Sequence, residues 1–461
     1  MKIAVENSND MNDWVIIGGG YRGIIGAYIL SEYNLPVTLI DSQNYLGGVL
    51  YSKLWNGLFL DNGCHLFDNT NDDASSIAHN ILNGEVLPVD VKYRSITNET
   101  RSDGISVPDY SKLPDQMQHK VLHEIITAAS EPEKQPDTLA DLFQLRYGKT
   151  IASLLYEPCD KMYGLTPNLI DPDAYGSSLF KRLKATTDRS GRLLKQIPTL
   201  DERLAIRTSD PLEFYAKTST KYPYRNFYPK THGMRGFCDD ALAYLLHNGV
   251  NVLLNKPIDN IKYENHKSTI TFATGDQLTP SNILWCQDID KLETILLGTT
   301  QLSNLIHNTP MIIFYYACRT DQINDYTYIH DFSSQSLIFR ASTPGIYGNQ
   351  HLDNAYTYVC IEVPSNIDSD LWVNPETYFE NIWGEAVSIG LVEGSLPPYM
   401  NCTRVPVSYR VPKLGFTVKK HEVIDQIHNY ASNILFSSKN VFAKDQIVHQ
   451  LRILLGEHLE H

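Results

Sequence analysis

Residues 13–41, which read DWVIIGGGYRGIIGAYILSEYNLPVTLID, constrain the fold more than any other part of this chain. A short apolar run over 14–17 predicts a buried parallel strand, and the residues that follow it have the glycine spacing G-x-G-x-x-G. An apolar stretch of helical length comes next, and a second apolar run over 37–40 ends at Asp41. This order of strand, glycine turn, helix, strand and acid predicts a Rossmann-like unit that binds a dinucleotide.

Each glycine of the turn has a separate role in such a unit. Gly18 allows the tight turn, Gly20 lets a pyrophosphate approach the backbone, and Gly23 lets the helix pack close to the strand. The N-terminus of the helix offers free N–H groups to the phosphates, and Asp41 stands where an acid accepts hydrogen bonds from the adenosine ribose. The expected cofactor-binding residues of this unit are Gly18, Gly20, Tyr21, Arg22, Gly23, Asp41 and Ser42.

Charge and composition limit the class of protein. The net charge of −14, from 39 basic and 53 acidic side chains, argues against a nucleic-acid binder. No window approaches the roughly 18 uncharged apolar residues of a membrane span, and the first residues lack the apolar core of a signal peptide. The seven cysteines form no C-x-x-C pair, which predicts free thiols in a reducing compartment. We therefore expect a cytoplasmic protein with a small-molecule partner and, since its histidines lack ligand spacing, no metal site.

The order of predicted elements indicates an α/β protein with a discontinuous nucleotide domain. Helical patterns dominate the middle of the chain, and α/β character returns with a helix over 238–247 and a strand over 250–254. From 310 onward the stretches MIIFYYAC, YTYIH, SLIFRAS and AYTYVCIEV alternate as antiparallel strands do. The predicted parts are a Rossmann-like domain built from 1–104, 223–290 and 420–458, a mainly helical insertion over 105–222, and an antiparallel-sheet substrate domain over 291–419.

The glycine turn and the segments after the second strand resemble a flavoprotein family. The GGGYRG turn, the Gly47-Gly48 pair and the G-C-H-L-F element over 63–67 resemble the N-terminal pattern of the amine-oxidase and protoporphyrinogen-oxidase-like flavoproteins. The last of these is similar to the G-P-H-I-F element of the UDP-galactopyranose mutase branch. The segment YPKTHGMRGFCDDALAYLLHNGVNVLL over 228–254 also resembles the family.

The resemblance implies FAD as the cofactor. FAD lies extended, so a second glycine-rich loop must pass close beside its ribose and pyrophosphate. In this family the loop that holds Gly63 and His65 runs beside the isoalloxazine ring, and a strand backbone at the position of Val252 meets the adenine side; the other reading of His65 is a hydrogen-bonded core residue. The further FAD contacts that the resemblance implies are Gly47, Gly48, Val49, Gly63, Cys64, His65, Val252, Ser438 and Lys439.

The chain departs from the family pattern at several positions. Ser437-Ser438-Lys439 stands where a Gly-Asp or Gly-Arg pair usually contacts the flavin phosphates and ribityl chain. His232 replaces a glycine, and Gln43 sits where a basic residue often meets the pyrophosphate. These departures leave open a non-catalytic descendant that binds a nucleotide and acts as a partner protein.

Arg340, in the stretch IFRAS, is the strongest candidate to bind an anionic substrate group. A guanidinium fork matches phosphate and carboxylate geometry, and a charge among apolar neighbours needs a partner. The alternative is a structural ion pair, for instance with Glu362. The candidate catalytic residues are thus His65 and Arg340, and Arg410, Tyr409 and Lys230 join Arg340 as candidate substrate-binding residues.

These patterns together predict an FAD-dependent oxidoreductase of the amine-oxidase superfamily that acts on a polar small molecule, with a sugar nucleotide as the preferred class. The sequence leaves open a redox-neutral mutase that uses reduced FAD, and it leaves open whether the chain forms oligomers. An NAD-dependent dehydrogenase would explain residues 13–41 but neither Gly47-Gly48 nor residues 61–67.

Overall fold

A computed structural model describes residues 13–98, 100–132, 134–208, 221–352, 355–438 and 441–459 of the chain. Lys439, one of the predicted FAD contacts, lies outside the described residues. No helix in the described ranges is both long enough and apolar enough to cross a membrane. All seven cysteines are free thiols.

A five-stranded parallel sheet forms the first large layer of the structure. All four residues of its central strand are buried, as is typical of a parallel strand covered on both faces. The strands lie in the order Asn251–Leu253, Val37–Ile40, Trp14–Ile17, Asn282–Trp285 and Ile434–Phe436. The helices and helical turns of this region are Tyr21–Glu32, Gly48–Leu50, Asp72–Ile81, Met234–His247, Ile289–Leu292, Glu293–Leu297, Ser303–Leu305, Phe416–Tyr430 and Lys444–Leu459.

Three small antiparallel units accompany the parallel sheet. One is a hairpin, one is a three-stranded sheet that joins distant parts of the chain, and one is a three-stranded meander. Their strands are Lys53–Trp55 with Leu58–Leu60, then Phe67–Asp68 with Asn226–Pro229 and Val86–Val89, then Ile258–Glu264 with Lys267–Phe272 and Gln277–Leu278.

A seven-stranded sheet forms the second large layer, and its neighbours are antiparallel except for one parallel pair, Tyr328–Asp331 with Tyr93–Ile96. One face packs on Phe379–Ile389, and the other faces the helical insertion. The strands lie in the order Tyr399–Pro412, Ile306–Arg319, Tyr356–Pro364, Arg340–Ser342, Tyr328–Asp331, Tyr93–Ile96 and Arg101–Asp103. The helices and helical turns of this region are Thr320–Gln322, Pro344–Tyr347, Asp370–Val373, Pro375–Tyr378 and Phe379–Ile389.

The last two strands of this sheet come from residues up to 104, a segment that the sequence analysis assigned to the nucleotide domain. Tyr93–Ile96 pairs in register with Tyr328–Asp331, more than two hundred residues further along the chain. Such a pairing depends on non-local contacts, and no local pattern in the sequence specifies it.

The helices of the helical insertion pack around a core that they share with the sheet face carrying Ile313 and Tyr315. Residues 149–163 form two helices and not one continuous helix, because Pro158 has no N–H to donate to the carbonyl of Leu154. Tyr110 donates its hydroxyl to that carbonyl at 3.2 Å instead. The helices and helical turns are Asp115–Ser130, Leu139–Tyr147, Lys149–Leu154, Tyr156–Tyr163, Pro167–Leu169, Pro172–Ser177, Leu179–Lys181, Asp188–Leu194 and Pro198–Asp201.

The predicted fold class, an α/β protein with a Rossmann-like domain, a helical insertion and an antiparallel sheet, is confirmed by this architecture. Residues 14–40 form the strand, helix and strand that the glycine pattern predicts.

Candidate functional site

The first glycine turn is closed at Gly23 by close packing. Gly18 has φ +103°, which favours glycine, and its N–H donates to the carbonyl of Ile40 at 2.9 Å. A Cβ built on Gly23 would lie 1.8 Å from the carbonyl oxygen of Gly18. Only glycine fits at Gly23, because the helix there touches the turn with its backbone.

Gly20 borders open space, in contrast to the closely packed Gly23. A Cβ built on it would meet no heavy atom within 4 Å, and its backbone lines a cavity of about 530 Å³. Gly20 is also the residue before the helix Tyr21–Glu32, so the free N–H groups of the first helical turn lie beside this space. The turn therefore leaves room for a phosphate group at the position that the sequence predicts.

The second glycine pair lies directly against the first turn. The N–H of Gly47 donates to the carbonyl of Gly19 at 2.7 Å, and a Cβ on Gly48 would lie 3.5 Å from the Cα of Gly20. A Cβ on Gly47 would lie 2.1 Å from the Sγ of Cys238. Two glycine segments that meet in this way let a ligand pass along both backbones. Val49, also predicted to contact FAD, lies in the same cavity wall.

Asp41 is held at the carboxyl end of the second strand. Its Oδ2 accepts the N–H of Gly19 at 2.6 Å, and its Oδ1 accepts the N–H of Gln43 at 2.7 Å. Each carboxylate oxygen keeps capacity for a further hydrogen bond, which is what ribose hydroxyls would use. Val252 lies on the neighbouring strand, in register with Leu39. Ser42 lines the cavity beside the acid.

Arg22 is the cation closest in sequence to the glycine turn, and it lines the same cavity. Its Nη1 donates to the Oε1 of Gln450 at 3.3 Å, and no carboxylate of the described residues lies within salt-bridge distance. Ser437 and Ser438 line the same cavity, and the hydroxyl of Ser437 donates to the same Oε1 of Gln450 at 3.1 Å, so the departure from the family pattern faces the cavity. Arg22 can supply the positive charge that Gln43 lacks.

The parallel strand Asn282–Trp285 contributes part of the cavity wall that the sequence prediction missed. This wall consists of Trp285, the last residue of the strand, and of Cys286 and Gln287, which follow it. In open α/β sheets ligands bind outside the carboxyl ends of the strands, and that rule could have indicated these residues.

Arg410 lines the same cavity as the glycine turn. Its guanidinium pairs with Asp288 at 3.3 Å and with Asp290 at 2.6 Å. It therefore joins the strand Tyr399–Pro412 to the cavity wall. The prediction of a substrate contact at Arg410 remains a prediction.

Asp61, two residues before Gly63 of the G-C-H-L-F element, is a buried acid with several hydrogen bonds that the sequence prediction did not single out. Its carboxylate accepts from the hydroxyls of Ser52 and Tyr228 at 2.6 Å each, and from the N–H of Met234 at 3.2 Å. Burial raises the pKa of Asp61 to about 6, although these hydrogen bonds oppose the shift. An acid after the apolar run LFL was the available signal.

His65 lies in the loop as a neutral imidazole. Its Nε2 is 3.1 Å from the carbonyl of Asn62, and because a carbonyl only accepts, Nε2 carries the proton and Nδ1 presents a lone pair. Burial, with the nearby cations of Lys444 and Arg340, lowers the pKa of His65 to about 3. Lys444 donates to the carbonyl of Leu66 at 2.8 Å, at the first turn of the last helix.

Arg340 is engaged by Glu362. Its Nε and Nη2 donate to the two carboxylate oxygens of Glu362 at 2.5 and 2.7 Å. Glu362 also accepts the N–H of Cys64 at 3.1 Å, so the pair is tied to the loop that holds His65. The ion pair that the sequence left as an alternative is present, and the fork of Arg340 is filled by the protein itself.

The remaining predicted residues lie in different places. Tyr409 packs edge-to-face on Tyr163, with ring centroids 5.7 Å apart. Lys230 pairs with Glu85 on the surface, where both side chains are more than half exposed, and it is not brought to this site. His232, which replaces a family glycine, keeps the left-handed φ of +62° that a glycine would favour.

Comparisons with known proteins agree with this geometry. Residues 16–80 match the family model of an NAD(P)-binding Rossmann-like domain. Protoporphyrinogen oxidase 2, chloroplastic/mitochondrial, from Arabidopsis thaliana is 22% identical over 250 residues, which are 51% of this chain and 48% of the relative. The chain thus spans about half the length of the curated relative that it matches.

Solved structures match nearly the whole chain at low identity. A reduced UDP-galactopyranose mutase superposes with a TM-score of 0.71 at 15% identity, over 97% of this chain and 94% of that chain. A candidate protoporphyrinogen oxidase from Exiguobacterium sp. 255-15 gives a TM-score of 0.66 at 12% identity, over 98% of this chain and 100% of that chain. The resemblance that the sequence indicated is therefore confirmed for the fold.

Proposed function

Starting from the fold of the amine-oxidase-like flavoproteins, we propose that this protein is an FAD-dependent oxidoreductase that acts on a polar small molecule. The observation that carries the proposal is the contact of the two glycine segments, with Gly47 donating to Gly19 and Gly48 beside Gly20. NAD needs only the first segment, whereas extended FAD uses both. Gly20 and Arg22 would bind the pyrophosphate.

The same assignment gives the other predicted residues their roles. Asp41 would accept hydrogen bonds from the adenosine ribose, and Val252 lies one strand further out on the adenine side. The loop from Gly63 to His65 would run beside the isoalloxazine ring, which supplies the hydride acceptor when FAD is bound. His65 then offers the Nδ1 lone pair and not an acidic proton, because its imidazole is neutral.

A sugar nucleotide is the finer proposal for the substrate. It is supported by the G-x-H-x-F element over 63–67 and by the TM-score with UDP-galactopyranose mutase. Arg340 would bind an anionic group only if that group displaced Glu362 or shared the guanidinium with it. Tyr409, whose ring packs on Tyr163, would then border the pocket. The cytoplasm is the proposed location, since the seven free cysteines suit a reducing compartment.

Titration of the cofactor-depleted protein with FAD and with NAD tests the cofactor. We expect saturable binding of one FAD per chain and far weaker binding of NAD. Tight NAD binding without FAD binding would refute the proposal and favour a dehydrogenase. Binding of neither would favour the non-catalytic descendant, for which the Ser437-Ser438 wall of the cavity is the specific observation.

Electron balance distinguishes a redox-neutral mutase from an oxidoreductase. With a turned-over substrate in hand, an oxidoreductase consumes one equivalent of oxygen or another acceptor per product, whereas a redox-neutral mutase consumes none. Product formation that needs reduced FAD but no acceptor would replace our assignment with the mutase.

A further inference from the structure

A row of polar side chains crosses the face of the seven-stranded sheet that is turned toward the helical insertion. Ser95 stands opposite His330, His330 opposite Arg340, and Arg340 opposite Glu362 in the strand register. Glu362 is in turn opposite Ile313, whose side chain packs in the core shared with the insertion. Because Glu362 accepts the N–H of Cys64, the row begins at the loop beside the proposed flavin position.

The far end of the row carries unpartnered polar atoms. Among the described residues, five buried side-chain atoms lack a hydrogen-bond partner, and two of them are the Nε2 of His330 and the Oγ of Ser95. These two residues are direct cross-strand neighbours, and they are 5% and 0% exposed. Buried polar groups are normally paired, so two adjacent exceptions need an explanation. A ligand that completes their hydrogen bonds is such an explanation.

The position of the proton on His330 determines which hydrogen bonds this end of the row can make. Its Nδ1 lies 2.8 Å from the carbonyl of Ser106, so Nδ1 carries the hydrogen and Nε2 is a pure acceptor. Burial and the charge of Arg340 lower the pKa of His330 to about 3, which keeps the ring neutral at physiological pH. Ser95 can donate or accept. The rings of Tyr328 and Phe332 flank the imidazole at 5.1 and 5.5 Å between centroids.

The charges along the row cancel. Arg340 and Glu362 neutralise each other in a two-point ion pair, and neither His330 nor Ser95 carries a charge. An uncharged donor is therefore the group that this end of the row recognises, and a hydroxyl fits that description better than a phosphate does.

We propose that His330 and Ser95 form a subsite that binds a hydroxyl group of the substrate, with His330 as a positioning residue. This inference rests on the proposed function and specifies its substrate as a molecule with hydroxyl groups at the end that enters the sheet. For a sugar nucleotide, that end is the sugar.

Equilibrium dialysis of the FAD-loaded full chain against UDP-galactose and against UDP tests the subsite. We expect His330→Phe and Ser95→Ala to weaken UDP-galactose binding at least tenfold without changing UDP binding. His330→Gln, which keeps an acceptor, should recover part of the loss. Ser342→Ala is the matched control, because Ser342 is a fully buried serine of the same sheet whose hydroxyl already has a partner in Cys360.

Three outcomes contradict the inference and are distinguishable. If both variants bind UDP-galactose as the wild type does, the row is a structural feature of the core. If the wild type holds FAD but prefers UDP to UDP-galactose, the hydroxyl subsite is wrong and the FAD proposal stands. If the wild type takes up no FAD, the proposed function fails and the inference falls with it.

Discussion

Two glycines of the first turn should respond in opposite ways to the same added methyl group. In Gly23→Ala the new Cβ would lie 1.8 Å from the Gly18 carbonyl oxygen, well inside van der Waals contact. Overpacking costs typically about 1–3 kcal/mol, and a backbone atom cannot rotate away, so we expect a loss of about 3 kcal/mol of unfolding free energy. FAD binding would be lost with the turn.

In Gly20→Ala the methyl group meets no protein atom within 4 Å. The backbone at Gly20, with φ −67° and ψ −177°, is extended and suits alanine. The cofactor-free variant should therefore be as stable as the wild type, or more stable by about 0.4–1 kcal/mol, because alanine restricts the unfolded chain. FAD affinity should fall about a hundredfold, or about 2.7 kcal/mol, because the methyl group would occupy the pyrophosphate position.

The assay combines urea denaturation of cofactor-free protein with fluorescence titration of FAD, on both variants and the wild type. Gly249→Ala is not a suitable control because its φ is +79°, whereas Gly384→Ala adds a methyl group in open space on a helix away from the cavity. A Gly20→Ala variant that binds FAD like the wild type would refute the placement of the pyrophosphate, and a stable Gly23→Ala variant would refute the packing.

The remaining predictions concern charge. Glu362→Gln should lower the unfolding free energy by about 3–5 kcal/mol, because it leaves the Arg340 guanidinium without its buried partner. The same change should raise the affinity for UDP, since the guanidinium becomes available to an anion. Unchanged UDP affinity would show that Arg340 does not face a ligand. By contrast, Lys230→Met should change stability by less than about 1 kcal/mol, because its pair is exposed. Between pH 3 and 6.5 the imidazole of His330 is protonated in the unfolded chain but stays neutral in the folded protein. Lowering the pH through this range therefore destabilises the fold. His330→Phe should therefore lose about 2 kcal/mol less stability than the wild type between pH 7 and pH 5, as urea denaturation at both values would show. Asp61→Asn should have the opposite effect and lose more stability than the wild type between pH 7 and pH 5. The reason is that the carboxyl group of Asp61 keeps its proton up to about pH 6 in the folded state, so acid stabilises the wild type at this residue.

The nucleotide turn could be predicted because its determinants are local. Gly18, Gly20 and Gly23 lie within six residues, and the constraints on them are steric and follow from the backbone path of one turn. The acid at Asp41 follows from the length of one helix. Such features need no knowledge of distant contacts, so one segment of sequence contains them.

The substrate-facing side depends on pairs that are far apart in the chain. Ser95 and His330 meet because two strands pair in parallel, and Arg340 meets Glu362 across an antiparallel pair. The register of those strands is set by packing on both faces of the sheet, which a local pattern does not reveal. The sequence could name Glu362 as a candidate partner of Arg340, but not its second bond to Cys64.

The strand Tyr399–Pro412 could not be predicted from the sequence for a different reason. It was not predicted, because it lies at one end of the sheet and many of its residues are partly exposed, so its hydrophobic alternation is weak. Pro406 within it also argues against a central strand, in agreement with its edge position.

The most direct test of the central claim is the visible absorption spectrum of the freshly purified full chain, before and after denaturation. We predict the two bands of bound oxidised flavin, with FAD released into solution on unfolding in a ratio close to one per chain. A colourless protein that takes up no added FAD would contradict the account, because the contact of Gly20 with Gly48 would then have another purpose.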